Sequence, residues 1–510
     1  MDLTKKGFSF GLKLIESIVL IASILTLAIS GLQAQMNSMA ERAARQLPLN
    51  ICKADWGNEQ ILCGTYQVYE NRTLMAGRKL SLKIVVIPSH AENPEPDPIF
   101  FLEGGPGVAA TDAAYSFATE LPYRRTRDIV LVDLRGMGGS NPLHCDLAGD
   151  PMLLQNYLNE MYPVKLVEAC RKQLEKVADL TQYTTSIAME DIEDVRSWLG
   201  YERINILGLS YGGRAAYVYA RAHPERVRSI VLMGPADIES RLPLYHAQQA
   251  EKAFSFLCLD CRADSTCNTA FPNLERELRE LVDDLRLSPP TVSYPHPMTK
   301  AATNVTIRAD IFVENLRSAL YAPGSASEVP WIIHRAYQGD FAPFLDFVLP
   351  SEFGQTPFLA EGAYLSITGA EDAPFFTEAE AQELSAGTLL GDYRVFQQRR
   401  AASLWPKAKV ASDYFDVVVL DMPTLIIQGR KDPVIGSGSV IRRYRNGREL
   451  LIPQMNHVPW GLSNIDCLDN LMNTFIETAD WRSLDTTCIL SMLPPPFKAS
   501  AAEDRSHPRE

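Results

Sequence analysis

The sequence predicts an α/β fold, a mostly parallel sheet with helices on both faces, carrying a large inserted helical cap. Three observations predict it. Strand-like runs at 98–102, 128–133 and 227–233 are continuously apolar and alternate with helix-patterned stretches, as in a sheet buried on both sides. A glycine-rich turn containing a serine, Gly208-Leu209-Ser210-Tyr211-Gly212, joins the run Ile204-Asn205-Ile206-Leu207 to a helix-like segment starting at Arg214. The α/β rhythm then stops near Asp237 and resumes at Pro423-Thr424-Leu425-Ile426-Ile427-Gln428, with a mainly helical pattern between.

Taken in order, the chain opens on what reads as an export signal. Lys5, Lys6 and Lys13 precede an apolar stretch over 18–29, and Gly31-Leu32-Gln33-Ala34 offers a small residue for cleavage. Residues 1–34 are expected to be removed, which leaves no stable membrane span and sends the protein to the periplasm or outside the cell. An uncleaved anchor is the alternative. Residues 35–236 form the first part of the core. Its strand-like runs begin at 79–87, and a helix over 188–199 sets Ile192, Val195 and Leu199 on one face. Residues 237–411 form the cap, in which 274–287 is a charged amphipathic helix. Pro289-Pro290 and Tyr294-Pro295-His296-Pro297 mark loops there. Residues 412–493 complete the core with strand-like runs at 423–428 and 449–452 and a closing helix at 468–478. Residues 494–510, starting Pro494-Pro495-Pro496, read as a disordered tail.

At 510 residues the chain suits one large domain with an insertion, or two domains. A net charge of −13, with no long basic run, argues against nucleic acid as a partner. Oligomeric state is not legible. The nine cysteines include four close sequence pairs: Cys52 with Cys63, Cys145 with Cys170, Cys261 with Cys267 and Cys467 with Cys488. An exported protein can keep such pairs oxidised, although spacing leaves the connectivity open. Cys258 is the candidate unpaired thiol. Cys258-x-x-Cys261 with Cys267 lacks a nearby histidine and a fourth ligand, so no metal and no other cofactor is expected.

The serine turn points to nucleophilic catalysis. A serine hydroxyl is a weak nucleophile and needs a base, which in turn needs an acid to orient it. When the serine occupies such an elbow, the acid and then the base follow in chain order. Of eight histidines, only His457 and His507 come after the last strand-like runs, and His507 lies in the polar tail. His457, in Met455-Asn456-His457-Val458-Pro459, is therefore the expected base. Asp432, in Gln428-Gly429-Arg430-Lys431-Asp432-Pro433-Val434, is the expected acid, with Asp237 in reserve. The oxyanion of the tetrahedral intermediate needs donors. The backbone N–H of Tyr211 supplies one, and Gly105, in Gly104-Gly105-Pro106-Gly107, is the candidate for the second.

These segments, together with Asp133-Leu134-Arg135-Gly136-Met137-Gly138-Gly139-Ser140, resemble the proline iminopeptidase family of α/β-hydrolases. The exported tripeptidyl-aminopeptidase-like branch is the nearer likeness, because Cys261-Arg262-Ala263-Asp264-Ser265-Thr266-Cys267 followed by Phe271-Pro272 is similar to its cap. The resemblance covers roughly 80–490. It implies a serine peptidase acting on peptides with a free N-terminus, with Ser210, Asp432 and His457 as triad and Gly105 and Tyr211 as oxyanion donors. Two positions depart from the family pattern. Glu103 stands where a histidine is usual, and Leu134 replaces a glutamine. Glu103 could pair with a substrate ammonium group or be satisfied by local backbone N–H groups. Arg135 is expected to tie down its own loop. Two other readings are a carboxylesterase or lipase on the same scaffold, and a binding protein with an inactive site.

Overall fold

The computed structural model describes residues 47–54, 57, 59–349 and 358–500; the expected export signal lies outside them, as do residues 501–510 of the expected tail. Its main sheet has nine strands in the order β1-β2-β3-β5-β4-β6-β7-β10-β11. The strands β1 (Asn50–Lys53), β2 (Gln60–Tyr69), β3 (Lys79–Ile87), β4 (Ile99–Leu102), β5 (Ile129–Val132), β6 (Ile204–Leu209), β7 (Val227–Met233), β10 (Thr424–Gly429) and β11 (Gly447–Ile452) build it. From β5 through β11 every pairing is parallel, whereas β1, β2 and β3 pair antiparallel and β3 meets β5 antiparallel.

Every residue of β4 and β5 is buried, because both sheet faces are covered. Alternation along the strands divides the core into two layers. Phe100, Val130, Ile206, Ile230 and Ile426 point to one side, where α1 (Thr185–Trp198) and α2 (Tyr211–Ala222) pack. Ile99, Phe101, Leu131, Leu207, Val231 and Ile427 point to the other, and helix Asp466–Thr478 covers them with Leu468, Leu471, Met472 and Phe475. The antiparallel edge precedes the first strand read from sequence. In β2, Gly64 and polar residues interrupt the apolar pattern, and the disulfide Cys52–Cys63 joins β1 to β2 across the ladder.

Between β7 and β10 the chain leaves the sheet for a mainly helical region. It includes α3 (His246–Ala263), α4 (Leu274–Leu287), α5 (Ala309–Ala319), α6 (Glu361–Glu371) and α7 (Tyr393–Ser403); the closing helix Asp466–Thr478 is α8. Much of this region has a core of its own, with Phe254, Leu278, Leu281, Phe312, Ile333 and Phe344. α6 instead joins the core of the sheet through Ala363, Leu365 and Ile367. A hairpin, β8 (Thr291–Pro295) and β9 (Ala302–Thr306), corrects the reading of Tyr294-Pro295 as loop. The proline occupies the end of a two-stranded ladder, where its missing N–H costs little.

The cysteines pair as 52–63, 145–170, 261–267 and 467–488, and Cys258 is a buried free thiol. The start of the proline-rich tail is also placed. Phe497 packs against the core of the helical region, and the Lys498 N–H donates to the Ser327 carbonyl at 3.1 Å. An apolar anchor and three stiff prolines keep 494–500 on the surface of the helical region.

Candidate active site

Ser210 sits between β6 and α2 with φ 53° and ψ −114°, a region that costs a non-glycine residue about 1–3 kcal/mol. Its surroundings hold it there. The Ser210 N–H donates to the Met233 carbonyl, and the Ser210 carbonyl accepts from the N–H groups of Gly213 and Ala236, all at 2.9 Å. The flanking glycines make the turn possible by close approach. A Cβ on Gly208 would stand 2.7 Å from the Gly212 carbonyl oxygen, and one on Gly212 would collide with the Leu102 carbonyl of the neighbouring strand. Tyr211 opens α2, so its N–H has no acceptor within the helix and suits an incoming oxyanion. Its side chain is fully buried, with the hydroxyl 2.8 Å from Thr185 Oγ1.

The loop after β4 lies against the serine: a Cβ on Gly104 would be 3.2 Å from Ser210 Cβ. Gly105 follows with φ +104°, which brings bare backbone to the cleft. The helical region closes over this loop. Leu359 would be 3.3 Å from a Cβ on Gly105, and the Ala360 N–H donates to the Gly107 carbonyl at 2.9 Å. Glu103 accepts from the Gly104 N–H at 2.7 Å, and burial, with a smaller contribution from Asp112, pushes its carboxyl up to about 7.

Asp432 follows β10 and His457 follows β11. Asp432 Oδ2 lies 2.8 Å from His457 Nδ1, and each residue is only 3% exposed. The carboxylate is fixed by N–H groups of Val434 (2.7 Å) and Ile435 (2.9 Å) on Oδ1 and by Gln428 Nε2 (2.9 Å) on Oδ2. An ionised carboxylate only accepts, so Nδ1 donates and Nε2 carries the lone pair that a base needs. Ser210 and His457 flank the same turn. Met233 holds the serine N–H, and a Cβ on the next residue, Gly234, would be 3.1 Å from His457 Nδ1. The reserve acid Asp237 is committed elsewhere, in an ion pair with Arg443 at 3.0 Å. Arg135 holds its loop by a fork to Asp191, at 2.6 and 2.8 Å.

Several neighbours carry no local motif, and among the acidic residues of the cap, Glu361 included, the sequence does not say which face the site. The Tyr321 carbonyl accepts both the His457 N–H (2.9 Å) and the Val458 N–H (3.0 Å), and its ring stands edge-on to the His457 imidazole at 5.2 Å. Asn456 Nδ2 donates to the Leu320 carbonyl at 2.8 Å. Glu361, at the start of α6 and next to Ala360, accepts from Tyr162 Oη at 3.4 Å, and burial pushes its carboxyl up to about 7. These residues reach the site through packing of the helical region, which leaves no local motif. Among the described residues no cluster of three or more histidine, cysteine or acidic side chains is arranged to hold a metal.

Residues 97–269 match the family model described as the alpha/beta hydrolase fold. A proline iminopeptidase of Neisseria gonorrhoeae is 30% identical over 142 residues, 28% of this chain and 34% of that protein. A proline iminopeptidase of Xylella fastidiosa is 32% identical over 142 residues, 28% of this chain and 33% of that protein. Serine protease Hip1 of Mycobacterium tuberculosis is 29% identical over 180 residues, 32% of this chain and 35% of that protein. The chain thus spans about a third of the length of these relatives. With its parallel strands, its strand–turn–helix at Ser210 and its helical insertion between β7 and β10, the chain has the α/β-hydrolase fold, and over part of its length it is similar to proline iminopeptidases and to a serine protease.

Proposed function

We propose that the protein is an exported serine aminopeptidase that releases N-terminal residues or short peptides through an acyl-enzyme on Ser210. The observation that carries this reading is the buried 2.8 Å contact between Asp432 and His457, set beside the strained Ser210 at one end of the parallel strands. Ser210 Oγ attacks the substrate carbonyl carbon while His457 Nε2 takes the hydroxyl proton. The N–H groups of Gly105 and Tyr211 stabilise the oxyanion, an effect worth about 3–4 kcal/mol per donor. The C–N bond then breaks, and the proton on His457 passes to the departing amine. Water attacks the ester, gives a proton to His457, and that proton returns to Ser210 Oγ as the acyl product leaves. Asp432 orients the imidazole and stabilises its charged form throughout.

Glu103 is our candidate for receiving the substrate ammonium. It directly precedes the oxyanion loop, and Asp112 adds to the negative character of this side. The peptidase names of the partial relatives support a peptide substrate, and four disulfides support an oxidising compartment. The test is kcat/KM on matched chromogenic peptide amides with free or acetylated N-termini, beside p-nitrophenyl esters. Free-amine substrates are expected to be strongly preferred, and Ser210→Ala is expected to lower kcat roughly 10^4-fold or more. Ester turnover without amide turnover, indifferent to acetylation, would assign the site to a carboxylesterase or lipase instead.

A further inference from the structure

Near His457, the helical region sets two guanidinium groups against one carboxylate. Glu314 of α5 is the partner of two guanidinium groups. Arg317 grips both its oxygens, at 2.6 and 3.0 Å, and Arg394 of α7 shares the first of them. One carboxylate therefore answers two cations, Arg317 buried and Arg394 largely so. Glu361 is near enough for Arg394 to act on it, yet burial keeps its carboxyl only partly ionised at neutral pH. Uncompensated charge of this kind is costly in a protein interior and is normally met by a partner.

Three buried nitrogens in the same place have no hydrogen-bond partner. Arg394 Nε is buried with no acceptor. His246, the first residue of α3, is 4% exposed, and neither of its ring nitrogens has a hydrogen-bond partner. Burial holds His246 neutral, helped by the arginines Arg394 and Arg317 and by His457, so it lies within electrostatic reach of both arginines and of the proposed base. A neutral imidazole keeps one N–H to offer. Tyr321 links this cluster to the reaction centre, since its hydroxyl accepts from Arg317 Nη1 at 3.3 Å while its ring stands on His457.

We propose that Arg394, with His246, receives the C-terminal carboxylate of a short peptide whose departing part lies on the His457 side of the scissile bond. The inference rests on the aminopeptidase reading, in which His457 protonates the departing amine and so lies beside the leaving segment. A carboxylate there would supply the missing anion and accept from Arg394 Nε and His246 together, as charge-assisted bonds. The site would then be bipolar, with an acidic pole at Glu103 for the ammonium and a basic pole at Arg394 for the carboxylate. Substrate length would be set by the span between them.

The test measures binding and turnover separately. Dialanine, trialanine and tetra-alanine, each as free acid and as C-terminal amide, are titrated calorimetrically into the Ser210→Ala protein. The same peptides are then offered to the active protein and product amines are counted. At one length at least, the acid is expected to bind about tenfold or more tighter than its amide. Arg394→Gln and His246→Phe are each expected to bring that ratio towards one. Glu314 would keep Arg317 as its partner in Arg394→Gln, and the acid-to-amide ratio in Ser210→Ala reads the site even if either variant misfolds. Equal binding of acid and amide at every length overturns the proposal. Equal binding with amine-dependent turnover would leave the aminopeptidase standing without this subsite. Acid preference without any turnover would establish the carboxylate site and sink the peptidase reading.

Discussion

A methyl group on Gly212 has nowhere to go, because the Leu102 carbonyl of the adjacent strand occupies its place. Gly212→Ala should cost on the order of 3 kcal/mol in denaturant unfolding, and activity should fall with it as the elbow shifts. Asp432→Asn should cost about 1–3 kcal/mol, since its amide would face the Gln428 donor, and lower kcat about 10^4-fold, since that amide can present its N–H to His457 and favour the wrong tautomer. Glu103 gives a pH-dependent prediction. Its carboxyl, raised by burial from 4.5 to about 7, is neutral in folded and unfolded chains below pH 4.5. As pH rises from 4.5 to 7 the unfolded chain loses this proton first, so the folded state loses stability across that window. Glu103→Gln keeps an oxygen for the Gly104 N–H and should match the parent in stability at pH 4 but exceed it at pH 8, by roughly 1–3 kcal/mol. In the unmodified protein, KM for free-amine peptides should rise as pH falls through 7. Ser210, Asp432 and His457 were legible because each follows a strand-like run and two of them sit among glycines or beside proline. Tyr321, His246 and Arg394 were not, because tertiary packing, rather than any local pattern, brings Tyr321 onto His457 and His246 within reach of Arg394.

Helices α2 and α6 meet in a buried ion pair. Arg214 of α2 forks onto Asp372, just beyond α6, at 2.7 and 2.9 Å, and both side chains are wholly inaccessible. Asp372 also accepts the Leu242 N–H at 2.9 Å, and Glu371 takes the Thr185 N–H and hydroxyl and the Tyr414 hydroxyl, at 2.6, 2.7 and 2.7 Å. The end of α6 is thus tied to the elbow helix and to α1. Removing Asp372 leaves the buried guanidinium with only the more distant Glu371, at 3.7 Å, and the Asp237 carbonyl, so Asp372→Ala should cost about 3 kcal/mol by chemical denaturation. The parallel strands could be read in advance because their apolar runs are unbroken, and α1 because its apolar residues follow a fixed period. The β8–β9 hairpin could not, as five residues with a proline carry too little pattern to outweigh a loop reading. β1 and β2 escaped for a related reason: the edge strand and its partly exposed neighbour are free to be polar.

Across the whole molecule, the thiols give a readout of folding. Burial pushes the Cys258 thiol up to about 12, which starves it of thiolate. A thiol reagent should therefore modify no cysteine in the native protein and one per chain in denaturant without reductant. Two or more modified sites would mean that the pairing differs. The division of the chain was legible because the apolar strand rhythm stops and restarts, whereas the sharing of the sheet core by α6 depends on tertiary packing alone. The double hydrogen bond from His457 and Val458 to the Tyr321 carbonyl has a consequence for modularity. The loop of His457, the proposed base, is fastened to the helical region, so that region is not an exchangeable lid. A chimera that imports a foreign helical region without matching 455–458 should fold but turn over slowly. Any opening wide enough to pull Tyr321 away would disarm the base in the same movement, so admission of substrate and readiness to react would alternate.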